Sequence, residues 1–259
     1  MFETTLNIPV GLAAFQDIFH APSGDELMRI IFRWLHFVAG ITWIGMLYFF
    51  NLVNVDFMKA LDAPTKKVVV PNLMPKALWY FRWGALVTVL AGISYYAMYI
   101  IRPDVVNNRA AGGEASIALV FLGWLAISVL FWAIYFFLLP RLTKDGRVLG
   151  AVTAVLVILM SVLIVWCLNE QLTHRTFTAS NKTLSIGIGG ALGIIMLFNV
   201  WGIIWPAQKR IIAGTVSGEA APPELARRAF LASRTNAWLS LPMLFFMATS
   251  HGDYIILGR

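Results

Sequence analysis

An all-α fold, a polytopic transmembrane helical bundle of about six spans, is predicted by the composition and by the spacing of apolar runs. Of the 259 residues, 59% are hydrophobic and 13% are charged, so a soluble domain of this size would lack the polar side chains to cover itself. Apolar runs of about 20 residues, the length that crosses a bilayer, recur along almost the whole chain. The sequence therefore predicts a membrane bundle without a separate soluble domain.

The predicted spans follow an N-terminal segment that we expect to lie outside the membrane. Residues 1–26 include acidic side chains and lack the basic start and apolar core of a signal peptide. The predicted domains are therefore an extramembrane segment at 1–26 and a six-span membrane domain at 27–259. In the fifth span, the small residues from Gly187 to Gly193 predict close helix packing. The spans are predicted at 28–53, 77–101, 116–139, 148–168, 183–206 and 236–257.

Lysine and arginine are concentrated in segments that lie on one side of the predicted bundle. These segments are 54–76, 140–147 and 207–235, and the positive-inside rule places them in the cytoplasm. Both chain ends are then expected on the periplasmic side of an inner membrane. Because the net charge of +7 is distributed beside apolar runs, the predicted partner is the lipid bilayer, and nucleic-acid binding is disfavoured.

Two histidines lie within the predicted spans at similar depths from the outer face. An ionisable side chain such as His36 is costly inside a membrane, which indicates a functional site. His36 and His251 are predicted roughly 12 and 10 Å below the outer ends of their spans. Two imidazoles on different helices suit the two axial positions of a haem iron. The alternative is that both are buried polar residues that bond to the backbone or to each other.

The neighbours of His36 are compatible with a haem site. Arg29 and Arg33 share a helix face with His36 and could pair with haem propionates, and Gly40 could leave room for a flat ring. Arg33 could instead be an interfacial residue whose charge reaches the headgroups. The single Cys167 excludes a Cys-x-x-Cys-His attachment motif. Any haem in this chain would therefore be a non-covalent haem b, and a covalently bound haem would belong to a partner.

A second group of polar residues is predicted near the cytoplasmic ends of four spans. Guanidinium and amide groups at one level suit an anionic, planar, hydrogen-bonding small molecule. The alternative is that these residues anchor lipid headgroups and cap helix ends. The candidate substrate-binding residues are Arg82, Asn199, Arg234 and Asn236, close to the level of Asn51 and Asn54.

At these residues the chain resembles a known family. The segments 33–36, 40–45, 79–84, 199–201, 204–209 and 233–243, together with His251, resemble the membrane domain of bacterial membrane-bound urate oxidases. The resemblance implies hydroxylation of urate, with electrons passed to the respiratory chain. Fuller members of the family carry a C-terminal cytochrome c domain. Because no Cys-x-x-Cys-His motif is present here, the stand-alone form is expected, with a separate cytochrome c or another respiratory carrier, such as a membrane quinone, as acceptor.

Two functions follow from these observations. The first is a haem-b redox protein that oxidises urate or a related small molecule, with His36 and His251 as metal ligands and no residue assigned to the chemical step. The alternative is a non-catalytic membrane subunit or scaffold of a respiratory or dehydrogenase complex, which would retain the fold without its chemistry.

Overall fold

The structure is a computed structural model that describes residues 21–219, 221–251 and 255–258. Six long helices form the described part of the chain. No β-strand is present in these ranges, so the predicted all-α class is confirmed. Most of the predicted extramembrane segment lies outside the described residues. The helices are α1 Gly24–Ala60, α2 Ala63–Ala110, α3 Ile117–Leu142, α4 Gly146–Leu172, α5 Asn181–Ser217 and α6 Pro223–Thr249.

Within the described ranges, helices α1 to α5 are long and apolar enough to cross a membrane. The sixth helix, α6, begins with a polar half that contains Arg227, Arg228 and Arg234. Its apolar part, 237–249, rises about 20 Å, which is less than the ~30 Å hydrocarbon core of a bilayer. The chain is thus a helical membrane protein. Five of its predicted spans lie in helices that are long and apolar enough to cross a membrane, and the sixth lies in a helix that is partly polar.

Several predicted loops are wrong because the helices continue beyond the apolar spans. The 54–76 segment is almost entirely helical, since α1 ends at Ala60 and α2 begins at Ala63. Asp62 caps α2 by accepting a hydrogen bond from the Thr65 N–H at 3.1 Å. The 207–235 segment, which the span boundaries place mostly in a loop, instead contains the end of α5 and the start of α6. Hydropathy indicates the length of the apolar part of a helix. The residues at which a helix begins and ends depend on capping groups, which hydropathy does not record.

Helix α5 is the centre of the bundle. In its most apolar stretch 78% of residues are buried inside the structure, against 11% for α1. A Cβ at Gly187 would lie 2.7 Å from Leu168 Cδ1, and one at Gly190 would lie 3.0 Å from Trp124 Cζ2. The predicted close packing around the small residues of α5 is therefore present, and it brings α3 and α4 against this helix.

Three helices contain a wider, π-helical turn that the sequence analysis did not predict. In α2 and α5 this turn precedes Pro103 and Pro206. Proline lacks an N–H and crowds the carbonyl four residues earlier, and a wider turn relieves that clash. In α1 the Asn51 side chain donates to the Leu47 carbonyl at 2.9 Å, so it competes with the backbone ladder. The turns are Phe49–Val53, Tyr96–Ile101 and Val200–Ile204.

Candidate functional site

An open cavity of about 680 Å³ is lined mainly by residues of α1, α2, α5 and α6. Its volume lies within the range of roughly 300–1,000 Å³ that is typical of ligand pockets. Most of the lining is apolar, and the ionisable side chains in it are Arg33, His36 and His251 together with two tyrosines. Ile41 and Leu244 line the cavity and are also exposed on the outside of the bundle. The two predicted haem ligands thus lie on one apolar cavity.

His36 has one ring nitrogen bonded to the backbone of the neighbouring helix. Its Nδ1 lies 2.8 Å from the carbonyl oxygen of Thr88. Because a carbonyl can only accept, Nδ1 carries the proton, and Nε2 keeps its lone pair. Metal-ligating histidines commonly donate their other N–H to a carbonyl in this way, which fixes the tautomer and the ring orientation. The geometry therefore suits coordination through Nε2.

His251 lies beyond the last helix, and the prediction that it lies within a span is wrong. Helix α6 ends at Thr249. The Thr249 hydroxyl donates to the Phe245 carbonyl at 2.9 Å, and the Ser250 hydroxyl donates to the Met247 carbonyl at 2.7 Å. Hydroxyl groups that compete for backbone carbonyls weaken the last turn of a helix.

The position of His251 after the helix still brings it to the cavity wall. Its Nδ1 lies 2.7 Å from Ser250 Oγ and 3.2 Å from the Met247 carbonyl. A proton on Nδ1 satisfies the carbonyl and leaves Nε2 as the nitrogen with a lone pair. The side chain is exposed, unlike the half-buried His36. The two histidines therefore reach the same cavity from different elements, one from α1 and one from the end of α6.

The other predicted cofactor-binding residues differ in how they meet the cavity. Arg33 lies in its wall, with the guanidinium 5.9 Å from the Phe37 ring centre. Arg29 instead donates from Nε to the Tyr95 hydroxyl at 3.4 Å. Gly40 lines the cavity, but a Cβ there would only make an ordinary 3.5 Å contact with Thr88.

Sequence reasoning missed several residues of this cavity. Trp43 is 1% exposed, and its indole N–H finds no partner among the described residues. Met243 and Met247 line the wall before His251. Their four-residue spacing places such side chains on one helical face, so this stripe could have been found from the sequence. Gly92 on α2 gave no such signal, because its contact with His36 depends on how two helices pack.

The residues of the cavity fit a haem b. Its donors are two imidazoles with Nε2 uncommitted, which is the ligand chemistry of a bis-histidine haem. The walls are apolar, as a macrocycle requires. The glycines in the lining leave room for a flat group, and the buried Trp43 N–H is an unpaired donor beside it.

The predicted substrate residues are not brought together as one site. Asn199 and Asn236 form a fully buried pair, in which Asn199 Nδ2 donates to Asn236 Oδ1 at 2.9 Å. Trp132 Nε1 donates to Asn199 Oδ1 at 3.2 Å, and Asn236 Nδ2 donates to the Met196 carbonyl at 2.9 Å. These bonds hold α3, α5 and α6 together, so the structure gives the two amides a packing role.

The two arginines have separate environments. Arg234 donates to the Asn51 carbonyl at 3.2 Å and thereby links α6 to α1. Arg82 lies with its guanidinium 3.8 Å from the Trp205 ring centre, a close cation–π contact. Its buried Nε has no hydrogen-bond partner among the described residues. Both guanidinium groups retain donors for an anion.

The polar residues at this end lie far from the histidines. Along α1, the helix rise from Asn51 to His36 is roughly 22 Å at 1.5 Å per residue. A substrate bound beside Asn51 and Arg234 would therefore not touch a group held by His36.

Comparison with known proteins identifies the family. The model of the family described as urate oxidase N-terminal matches residues 61–257, which is about three-quarters of the 259 residues. The match includes His251 and all four predicted substrate residues, and it begins after α1 and His36. No curated protein and no solved structure matches the chain. The family match agrees with the resemblance inferred from the sequence segments: this chain belongs to the urate oxidase N-terminal family.

Proposed function

We propose that this protein is an integral membrane redox protein that holds one haem b in the cavity and oxidises urate or a related small molecule. His36 and His251 would hold it. The observation that carries the proposal is that both histidines line one apolar cavity, with His36 Nδ1 committed to the Thr88 carbonyl. Neutral imidazoles with a free Nε2 are what a haem iron binds.

The bound haem would supply one-electron oxidation and reduction. The chain's own residues set the conditions for it. The Thr88 carbonyl keeps the His36 ring in one tautomer, and Arg33 at the wall offers a positive charge to a propionate. The apolar walls lower the local dielectric, and the dielectric around a redox site is one of the levers that set its potential.

Membership of the urate oxidase N-terminal family supports urate, an anionic and planar molecule, as the substrate. Arg82 and Arg234, which lie in separate environments, are alternative candidate ligands because each guanidinium group retains free donors. Asn199 and Asn236 would act indirectly, by holding α6, the helix that carries Arg234. Electrons would pass to a separate cytochrome c or another respiratory carrier. The proposed location is a bacterial inner membrane with both chain ends in the periplasm.

Absorption spectra of the purified full chain test the proposal. Urate added without oxygen to the oxidised protein is expected to produce reduced haem bands. At least one of Arg82→Gln and Arg234→Gln should slow this reduction without lowering the haem content, whereas Lys209→Gln, which removes the other cation beside the Trp205 ring, should not slow it. A protein with no haem bands overturns the proposal. If haem bands are present but urate does not reduce them, urate is not the substrate.

A second candidate function is a non-catalytic subunit or scaffold of a respiratory or dehydrogenase complex. The Asn199–Asn236 pair favours it, because these amides bond to the protein itself instead of facing a pocket. Purification in mild detergent distinguishes the two functions. A stoichiometric partner complex with no haem inside this chain supports the scaffold, and a haem-containing chain purified alone refutes it.

A further inference from the structure

Gly92 on α2 packs directly against the imidazole of His36. A Cβ built at Gly92 would lie 2.8 Å from both Cε1 and Nδ1 of His36, closer than carbon atoms approach without displacement. The obstructing atoms belong to the rigid imidazole ring, which is hydrogen-bonded to the Thr88 carbonyl. They are not the end of a flexible side chain that could move aside. The ring therefore occupies space that only a glycine leaves free.

Gly92 is also one helical turn beyond Thr88, whose carbonyl accepts the His36 N–H. In an α-helix, the N–H of residue 92 is directed at the carbonyl of residue 88. A side chain at 92 would therefore stand beside that carbonyl, on the same face. Without one, the Thr88 carbonyl can accept a second donor, and His36 Nδ1 lies 2.8 Å from it.

The other glycines of the cavity that lie on α1 do not have this constraint. A Cβ at Gly40 would make an ordinary 3.5 Å contact with Thr88, and one at Gly45 would find nothing within 4 Å. Both positions line the same cavity. They are therefore matched controls for a glycine-to-alanine change in the wall.

We propose that Gly92 is the positioning residue of the cavity: it allows the Thr88 carbonyl to hold His36 as the Nδ1–H tautomer, with Nε2 left to coordinate a haem iron. The coordination rests on the proposed function. The tautomer and the orientation of the ring do not, so they can be measured whether or not the chain holds haem.

The first test uses ¹⁵N-histidine-labelled full-length protein and NMR, with His36→Ala assigning the signals of His36. The wild type and Gly45→Ala should show His36 as the Nδ1–H tautomer in one hydrogen-bonded environment. Gly92→Ala should lose that signal. An unchanged His36 signal in Gly92→Ala overturns the proposal.

The second test is a haem titration. Gly92→Ala should weaken haem binding about tenfold or more, the effect of losing an outer partner of a metal ligand, and should reduce the low-spin bis-histidine spectrum. Gly150→Ala on α4, where a Cβ would also find nothing within 4 Å and which does not line the cavity, should leave both unchanged. In a His36→Gly background without added imidazole, Gly92→Ala should have no further effect, because the ring that it positions is gone.

The outcomes separate the two proposals. An equal loss of haem affinity in the His36→Gly background shows general damage to the cavity and overturns the positioning role. A chain without haem in which Gly92→Ala still removes the tautomer signal refutes the haem function and supports the positioning role.

Discussion

The cavity and the Asn199–Asn236 pair both place polar side chains inside the bundle, but they use the hydrogen-bonding groups differently. In the pair, Asn199 and Asn236 bond to each other, to Trp132 and to the Met196 carbonyl. In the cavity, His36 bonds through one nitrogen only, and the Trp43 N–H has no partner among the described residues. A polar residue in a membrane helix is thus informative about function only when its partners are known.

The largest expected effect separates ligation from packing. His36→Ala should lower the haem content about tenfold or more, since even outer partners of metal ligands have effects of that size. Compared with haem-free wild type, the variant should keep its helix content and lose only about 1 kcal/mol of stability, because one hydrogen bond, to the Thr88 carbonyl, is removed. The measurement is the haem-to-protein ratio, with circular dichroism alongside. Loss of folding together with haem would show that His36 is a packing residue, and His174→Ala serves as the control.

The next effect concerns the amide pair. Asn236→Leu should destabilise the protein by about 1–2 kcal/mol, because it leaves the buried Asn199 amide without its acceptor. The haem spectrum should not change. Thermal unfolding in detergent measures the loss. The double variant Asn199→Leu/Asn236→Leu should cost less than the sum of the two single changes. Additive costs would contradict a direct bond between these side chains.

The two arginines above His36 should differ by a smaller amount. Arg33 lies in the cavity wall, whereas Arg29 bonds to Tyr95. Arg33→Gln should weaken haem retention about two- to fivefold, the effect expected for an exposed ion pair. Arg29→Gln should weaken it less. Competition of each variant with apomyoglobin measures retention. Equal losses of haem retention in Arg33→Gln and Arg29→Gln would contradict the assignment of Arg33, and not Arg29, to the cavity wall.

The smallest expected effect lies away from both regions, at the start of α2. The hydrogen bonds that Asp62 receives from the side chain and backbone of Thr65 lower the pKa of Asp62 below its usual value of 3.8. A lowered folded pKa stabilises the protein above the unfolded pKa, and this stability is lost as the pH falls through the folded value. Asp62→Ala should therefore lower the unfolding temperature slightly near neutral pH and not at strongly acidic pH. An effect of Asp62→Ala that does not change with pH would contradict a charged cap. Glu114→Ala, which removes another exposed carboxylate, is the control.

The fold and part of the site could be predicted from the sequence because they depend on patterns within single segments. The apolar runs indicate the helices, the small residues of α5 indicate its close packing, and an ionisable side chain inside an apolar run singles out His36. The position of His251 was misjudged because hydropathy does not record Thr249 and Ser250 bonding to backbone carbonyls. The wide turns were also missed, since they arise locally at Asn51, Pro103 and Pro206.

Contacts between helices set the limit of the prediction. Gly40 drew attention because it shares a helix with His36, yet Gly92 on α2 is the glycine that the imidazole requires. The amides of Asn199 and Asn236 looked like ligands for an anion, because nothing in a single sequence shows that they face each other. Both errors concern which face of one helix meets which face of another.

A pyridine haemochrome assay on the purified full chain tests the central claim most directly, because it identifies and counts haem regardless of substrate or electron acceptor. With His36 and His251 on one cavity, we expect about one haem b per chain. Purified, folded protein that contains no haem and binds none when it is added would contradict the account.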